Sequence, residues 1–100
     1  MVREVFKKVV SETFPINRKR GGGIIKIEAW ENQKGEIVKY SMAYINPFVF
    51  SGDNGRVLGY DNSHNFHHMH YFGEISEVDD FVSYQELVER FELEMNRFIK

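Results

Sequence analysis

The chain has 100 residues, 42% of them apolar and 15% aromatic, a formal charge of −2 with histidines neutral, and no cysteine. That composition fits a single domain, 1–100, with one modest core, and it excludes disulfides and thiolate chemistry, so any metal must be held by His, Asp or Glu. The near-neutral balance excludes a strong long-range pull on polyanions and leaves nucleic-acid contact to a local patch.

The opening MVREVFKKVVSETF has neither the apolar core nor the small-residue cleavage site of a secretion signal, and no stretch approaches the ~20 apolar residues that span a bilayer. A soluble, cytoplasmic protein with no membrane partner is expected. Val2, Val5, Phe6, Val9 and Val10 recur at helical spacing and predict a short amphipathic helix over residues 2–10. The β-branched tail VVSETF also reads as a strand leading to Pro15. Arg18-Lys19-Arg20 followed by Gly21-Gly22-Gly23 reads as a mobile, solvated loop; it lacks the Lys-Ser/Thr ending of a phosphate-binding loop.

Alternation in IIKIEAW predicts a half-buried strand, with Ile25, Ile27 and Ala29 on one side and Lys26 and Glu28 on the other. A turn over Asn32–Gly35 leads into a second strand, EIVKYSMAYI. Pro47 bends the extended run FVF, because proline cannot donate to a ladder. Asp53-Asn54-Gly55 predicts a type I′ hairpin returning as RVLGY. A YDNS corner follows, and HHMHYF reads as a further strand.

Glu74, Glu77, Asp79 and Asp80 lack the spacing of a calcium loop and read as a solvated connection. Ser83 and Glu86 form a capping box, with Val82 and Leu87 placed as a hydrophobic staple. Leu87, Val88, Phe91, Met95, Phe98 and Ile99 then stripe a helix from about Ser83 to Ile99. The expected fold is α+β: an antiparallel meander of about four to five strands, a C-terminal helix packed on one face and a short N-terminal helix.

All histidines fall within YDNSHNFHHMHYF: His64, His67, His68 and His70. Strand alternation puts His68 and His70 on one side with Phe66 and Phe72, and His67, Met69 and Tyr71 on the other. If the C-terminal helix covers the second side, the imidazole pair emerges on the open one, and His64, in the corner with Asp61 and Asn62, can fold back towards it.

Three chemistries suit this group. Two histidines in different protonation states can serve as general base and general acid, which needs no cofactor. Cleavage of RNA by that route asks only for a cation at the phosphate, from Lys26, Lys39 or Arg56. Alternatively His68 and His70 chelate a divalent metal with His64 or Asp61 as third ligand, or the rings form a stacking surface for bases or a protein. The bland reading is packing histidines beside an Asx turn at Asp61-Asn62.

The succession of a strand ending in Trp30, then KYSMAYI, VLGYDNSHNFHHMH and FVSYQELVERFELEMNRFI resembles the TumE-type toxins of toxin-antitoxin modules, over about Ile24 to Lys100. Tyr60, Asp61, Asn62, His68 and His70 match that family's motif. Met69 stands between the motif histidines and Gly59 before the motif tyrosine, where members often carry basic residues. The resemblance implies a growth-inhibiting toxin with a cognate antitoxin as partner. Joined to the imidazole geometry, it leads to an expected site of His68, His70, His64 and Asp61 as catalytic groups, with Tyr60, Asn62, Lys39 and Arg56 on the substrate side and RNA as the substrate.

Overall fold

The computed structural model describes residues 5–100, and in it the alternating segments pair in the order in which they occur along the chain. Strands β1 (Lys7–Pro15), β2 (Ile24–Glu31), β3 (Ile37–Ile45), β4 (Arg56–Asp61), β5 (His68–Tyr71) and β6 (Glu74–Glu77) form one antiparallel meander, and helix α1 (Tyr84–Met95) packs against it through β3 and β4. The α+β class and the helix-covered meander are as expected, with six strands instead of four or five. No helix among the described residues is long and apolar enough to cross a membrane.

The core follows from the alternation. Ile25, Ile27 and Ala29 of β2, Tyr40, Met42 and Tyr44 of β3 and Leu58 and Tyr60 of β4 turn to one face, where Leu87, Phe91 and Met95 of α1 meet them. Each large side chain removed from water there contributes roughly 1.5–3 kcal/mol. Ser83 caps α1 by accepting from the Glu86 backbone N–H at 3.1 Å. The reciprocal half of the box is absent: the Glu86 carboxylate takes Arg90 at 2.7 Å, and Arg90 also holds Asp80, tying the preceding connection to the helix. The staple is not made, for Val82 is 75% exposed while Leu87 is buried; α1 ends at Met95, short of Ile99.

The N-terminal helix is corrected: Lys7–Val10 are strand, and residues 2–4 of that expectation lie outside the described region. Among the described residues the apolar spacing does not define a packed face, since Val5, Phe6 and Val9 are exposed while Val10 packs against the core. Ladder pairing with β2, interrupted by a bulge between Lys8 and Val10, wins over helical period, in keeping with the β-branched run. β1 thus forms one edge of the sheet, with Val9 and Phe14 exposed along it.

Two further segments differ. Residues 47–49 are a turn, and Asp53–Gly55 closes a longer loop as a 3-10 turn with three positive φ angles in place of a two-residue hairpin. The tight turn stands instead at Phe72-Gly73, with φ of 48° and 84°, and it adds Glu74–Glu77 to β5 as an edge strand where a solvated connection was expected. Arg18–Arg20 is a formed 3-10 turn, its Arg20 carbonyl and guanidinium both bonded to the Lys100 backbone.

Candidate functional site

Residues opposite one another on antiparallel strands share a face, so the register lays out the side of the sheet that α1 leaves uncovered. One row across it reads Glu28, Ser41, Asp61, His68, Glu77. The next reads Lys26, Ala43, Gly59, His70, Ile75. Trp30 and Lys39 pair at one end of β2 and β3, while Ile45 and Arg56 pair at the other, beyond the register shift after Tyr44.

Asp61 stands directly across from His68 and holds both motif imidazoles. Its Oδ1 lies 2.7 Å from His68 Nε2, and its Oδ2 3.0 Å from His70 Nε2. Ser63 fixes the carboxylate from the corner, donating its N–H at 3.1 Å and its hydroxyl at 2.7 Å to Oδ1, which is the Asx turn the corner sequence anticipates. His68 Nδ1 faces the Phe66 carbonyl at 3.1 Å, so the ring stands between two acceptors, that carbonyl and the Asp61 carboxylate. The two rings meet edge to face with centroids 4.9 Å apart.

A second carboxylate and a cation complete the group. Arg56 makes a forked pair with Asp53, at 2.9 and 3.1 Å, and its Nη1 lies 3.8 Å from Asp61 Oδ2. Asp53 Oδ2 is in turn 3.9 Å from His70 Nδ1. Gly59 makes this possible: a Cβ there would stand 2.9 Å from Arg56 Cδ and 3.0 Å from the Met42 carbonyl. The arginine lies over the bare glycine.

Burial pulls the His70 pKa below its ordinary 6.5, the Arg56 charge adds to this, and together they outweigh the attraction of Asp61. His70 is therefore a neutral ring whose Nε2–H donates to Asp61 and whose Nδ1 keeps its lone pair. For Asp61 burial acts upward, but the Ser63 hydrogen bonds and the two imidazoles prevail and hold the carboxyl below its usual range.

The imidazole pair does lie on the face away from α1, yet it does not emerge into water: His68 is 4% exposed and His70 6%. Phe66 covers His68 with ring centroids 4.7 Å apart, and the Asp53–Arg56 pair flanks His70. His64 is not brought to the cluster; it is exposed in the corner at φ 60° and lines a shallow cavity with Lys39, Ser63 and Phe6. The metal reading changes accordingly. The ligand atoms that gather, all within 4.8 Å, belong to Asp61, His68 and His70, not to His64.

Tyr60 faces the other way, 2% exposed beneath α1, its hydroxyl donating to Glu94 and its ring edge-on to Phe91. Its placement is that of a core residue, not of a substrate contact. Asn62 clamps β3, accepting from the Tyr40 N–H at 3.0 Å and donating to the Val38 carbonyl at 2.9 Å. Lys39 stays on the uncovered face with its ammonium over the Trp30 ring at 4.7 Å. The fourth histidine, His67, is absorbed by packing: it stacks on Phe81 at 3.5 Å and bonds the Tyr40 hydroxyl through Nδ1 at 2.8 Å.

Sequence reasoning missed Asp53 and Ser63. Asp53 read as half of a turn signal, and nothing local shows that the loop folds back against β5; the D-x-S spacing of Asp61 and Ser63 was the available cue for the second. No curated protein and no solved structure matches the chain. A family of toxins, described as Toxin TumE, matches over residues 9–99. That span runs from within β1 through α1 and holds every member of the Asp61 cluster, and so the chain belongs to the TumE toxin family, as the toxin component of a toxin-antitoxin module.

Proposed function

We propose that this toxin inhibits growth by cleaving RNA, with His70 and His68 as a general base and general acid organised by Asp61. The observation that carries the reading is the shared carboxylate, which holds both rings through Nε2: His70, kept neutral by burial and Arg56, and His68, set between that carboxylate and the Phe66 carbonyl. Two titratable groups in opposite protonation states on one scaffold are what proton transfer in both directions requires. In the reaction His70 Nδ1 takes the ribose 2′-hydroxyl proton, and the 2′-oxygen attacks phosphorus. The 5′-oxygen then leaves with a proton from His68, and a 2′,3′-cyclic phosphate remains. Arg56, at the carboxylate's edge, stabilises charge developing on the phosphoryl oxygens. Substrate reaches the rings by displacing Phe66, a side chain that is itself 41% exposed.

The test is RNA cleavage by purified protein beside growth of a host expressing the chain. His70→Ala and Asp61→Asn are expected to lower cleavage about 10²–10⁴-fold and to relieve growth arrest, since general acid-base groups contribute on that order. Circular dichroism of each variant separates lost chemistry from lost fold. Folded variants that cleave like wild type rule the mechanism out.

A divalent-metal enzyme is the second reading, favoured by the gathering of Asp61, His68 and His70 and by the Phe66 carbonyl bond that orients His68 Nε2 inward. It predicts stoichiometric metal after dialysis and loss of activity with chelator. Family membership supplies the partner, a cognate antitoxin, whose co-expression is expected to restore growth.

A further inference from the structure

A groove of about 300 Å³ runs beside the cluster on the uncovered face, lined by Lys26, Glu28, Ser41, Ala43, Asp53 and Arg56 among others. Its floor is the small side chains of β3, its walls are β2 on one side and the Asp53–Arg56 pair on the other. It shares Asp53 and Arg56 with the imidazole site, so a strand lying in it passes directly to His70. At the far end of β2 stands Trp30, with the ammonium groups of Lys8 and Lys39 at 5.1 and 4.7 Å from its ring.

The charges of this face are not all spent on one another. Lys8 pairs with Glu28 and Arg56 with Asp53, whereas among the described residues no ion pair ties Lys26 or Lys39 to a carboxylate. Both lysines are exposed. Trp30 is half-buried with the ammonium groups of Lys8 and Lys39 over its ring, the setting in which a planar base stacks while the flanking ammonium groups meet its phosphates. β2 and β5 are three strands apart, roughly 14 Å at the usual spacing, which a few nucleotides of extended strand cover.

We infer that this groove is the path of a single-stranded RNA, with an unpaired base stacked on Trp30 and the backbone led by Lys26 and Lys39 over Ser41 and Ala43 towards the imidazoles. The inference rests on the RNA reading above and adds the substrate class: an unpaired segment, because the groove is one strand wide and the indole receives a base only where its face is free of a complement. Trp30, Lys26 and Lys39 bind; they do not take part in proton transfer.

The experiment measures binding and cleavage separately, using a fluorescein-labelled single-stranded RNA octamer and the same sequence in a duplex. Trp30→Ala and Lys26→Glu are each expected to weaken single-strand binding about tenfold and to raise KM, a base stack being worth about 1–3 kcal/mol. Arg97→Glu, the same charge change just past α1, is the control and is expected to bind like wild type. A His70-dependent cleavage that is indifferent to Trp30→Ala and Lys26→Glu overturns the groove while leaving the mechanism standing. Binding that requires Trp30 and Lys26, with no cleavage by wild type, overturns the mechanism and keeps the groove. Duplex bound more tightly than single strand, or no RNA bound even at low salt, overturns the inference outright.

Discussion

One carboxylate serving two imidazoles makes Asp61 the most consequential side chain of the uncovered face, and it ties the cluster to pH. His70 and His67 both have folded pKa values below the ordinary 6.5, His70 through burial and then Arg56, His67 through burial and then His68. Below about pH 6.5 the unfolded chain thus binds more protons than the folded one, and stability that is full above that pH is lost as pH falls through the depressed values. The expected outcome is a urea midpoint that is level from about pH 8 to pH 7 and declines towards about pH 5, with a shallower decline in His70→Gln; a level wild-type midpoint contradicts the assignment. That alternate histidines share a side was legible in the sequence, because strand period fixes it. That they are roofed by Phe66 and flanked by Asp53 was not, because covering depends on where a loop returns. Gly59 makes the same point: the room it leaves by lacking a Cβ is taken by Arg56, which reaches over it from three residues upstream along the strand.

Among the elements, the corner between β4 and β5 does two jobs with adjacent residues. Asp61 turns towards the imidazoles, and Asn62 turns back to bind both a donor and an acceptor of β3. Asn62→Ala leaves the Tyr40 N–H and the Val38 carbonyl without that partner, so a loss of about 1–3 kcal/mol in urea unfolding is expected. Cleavage of RNA by the surviving folded fraction should be unchanged, which sets this residue apart from Asp61. Elements with strict alternation, β2 and β3, were readable to within a residue or so. α1 was readable at its start, where Ser83 caps it, and not at its end, where no capping glycine stops it. β6 escaped because EISE carries no buried side chain, and its pairing is imposed by the Phe72-Gly73 turn. β1 was misread over its first half because its apolar spacing satisfies two periods, and only a ladder partner chooses between them.

For the molecule as a whole, the single layer of sheet has one face covered by α1 and the other carrying the Asp61 cluster, so the helix sets the rigidity of the platform on which that cluster stands. Phe91 is fully buried against Tyr60, at the centre of that contact. Phe91→Ala is expected to cost about 3–5 kcal/mol and to lower the thermal midpoint, measured by calorimetry; a change under about 1 kcal/mol would mean that α1 is not what holds the sheet. Among the described residues, the first and last strands of the meander are paired on one side only. β1 presents nine residues of backbone on the other, with Val9 and Phe14 bare beside it. Such a border is adhesive: a second polypeptide can be stitched onto it amide by amide, so the toxin produced without its antitoxin is expected to clump as it accumulates.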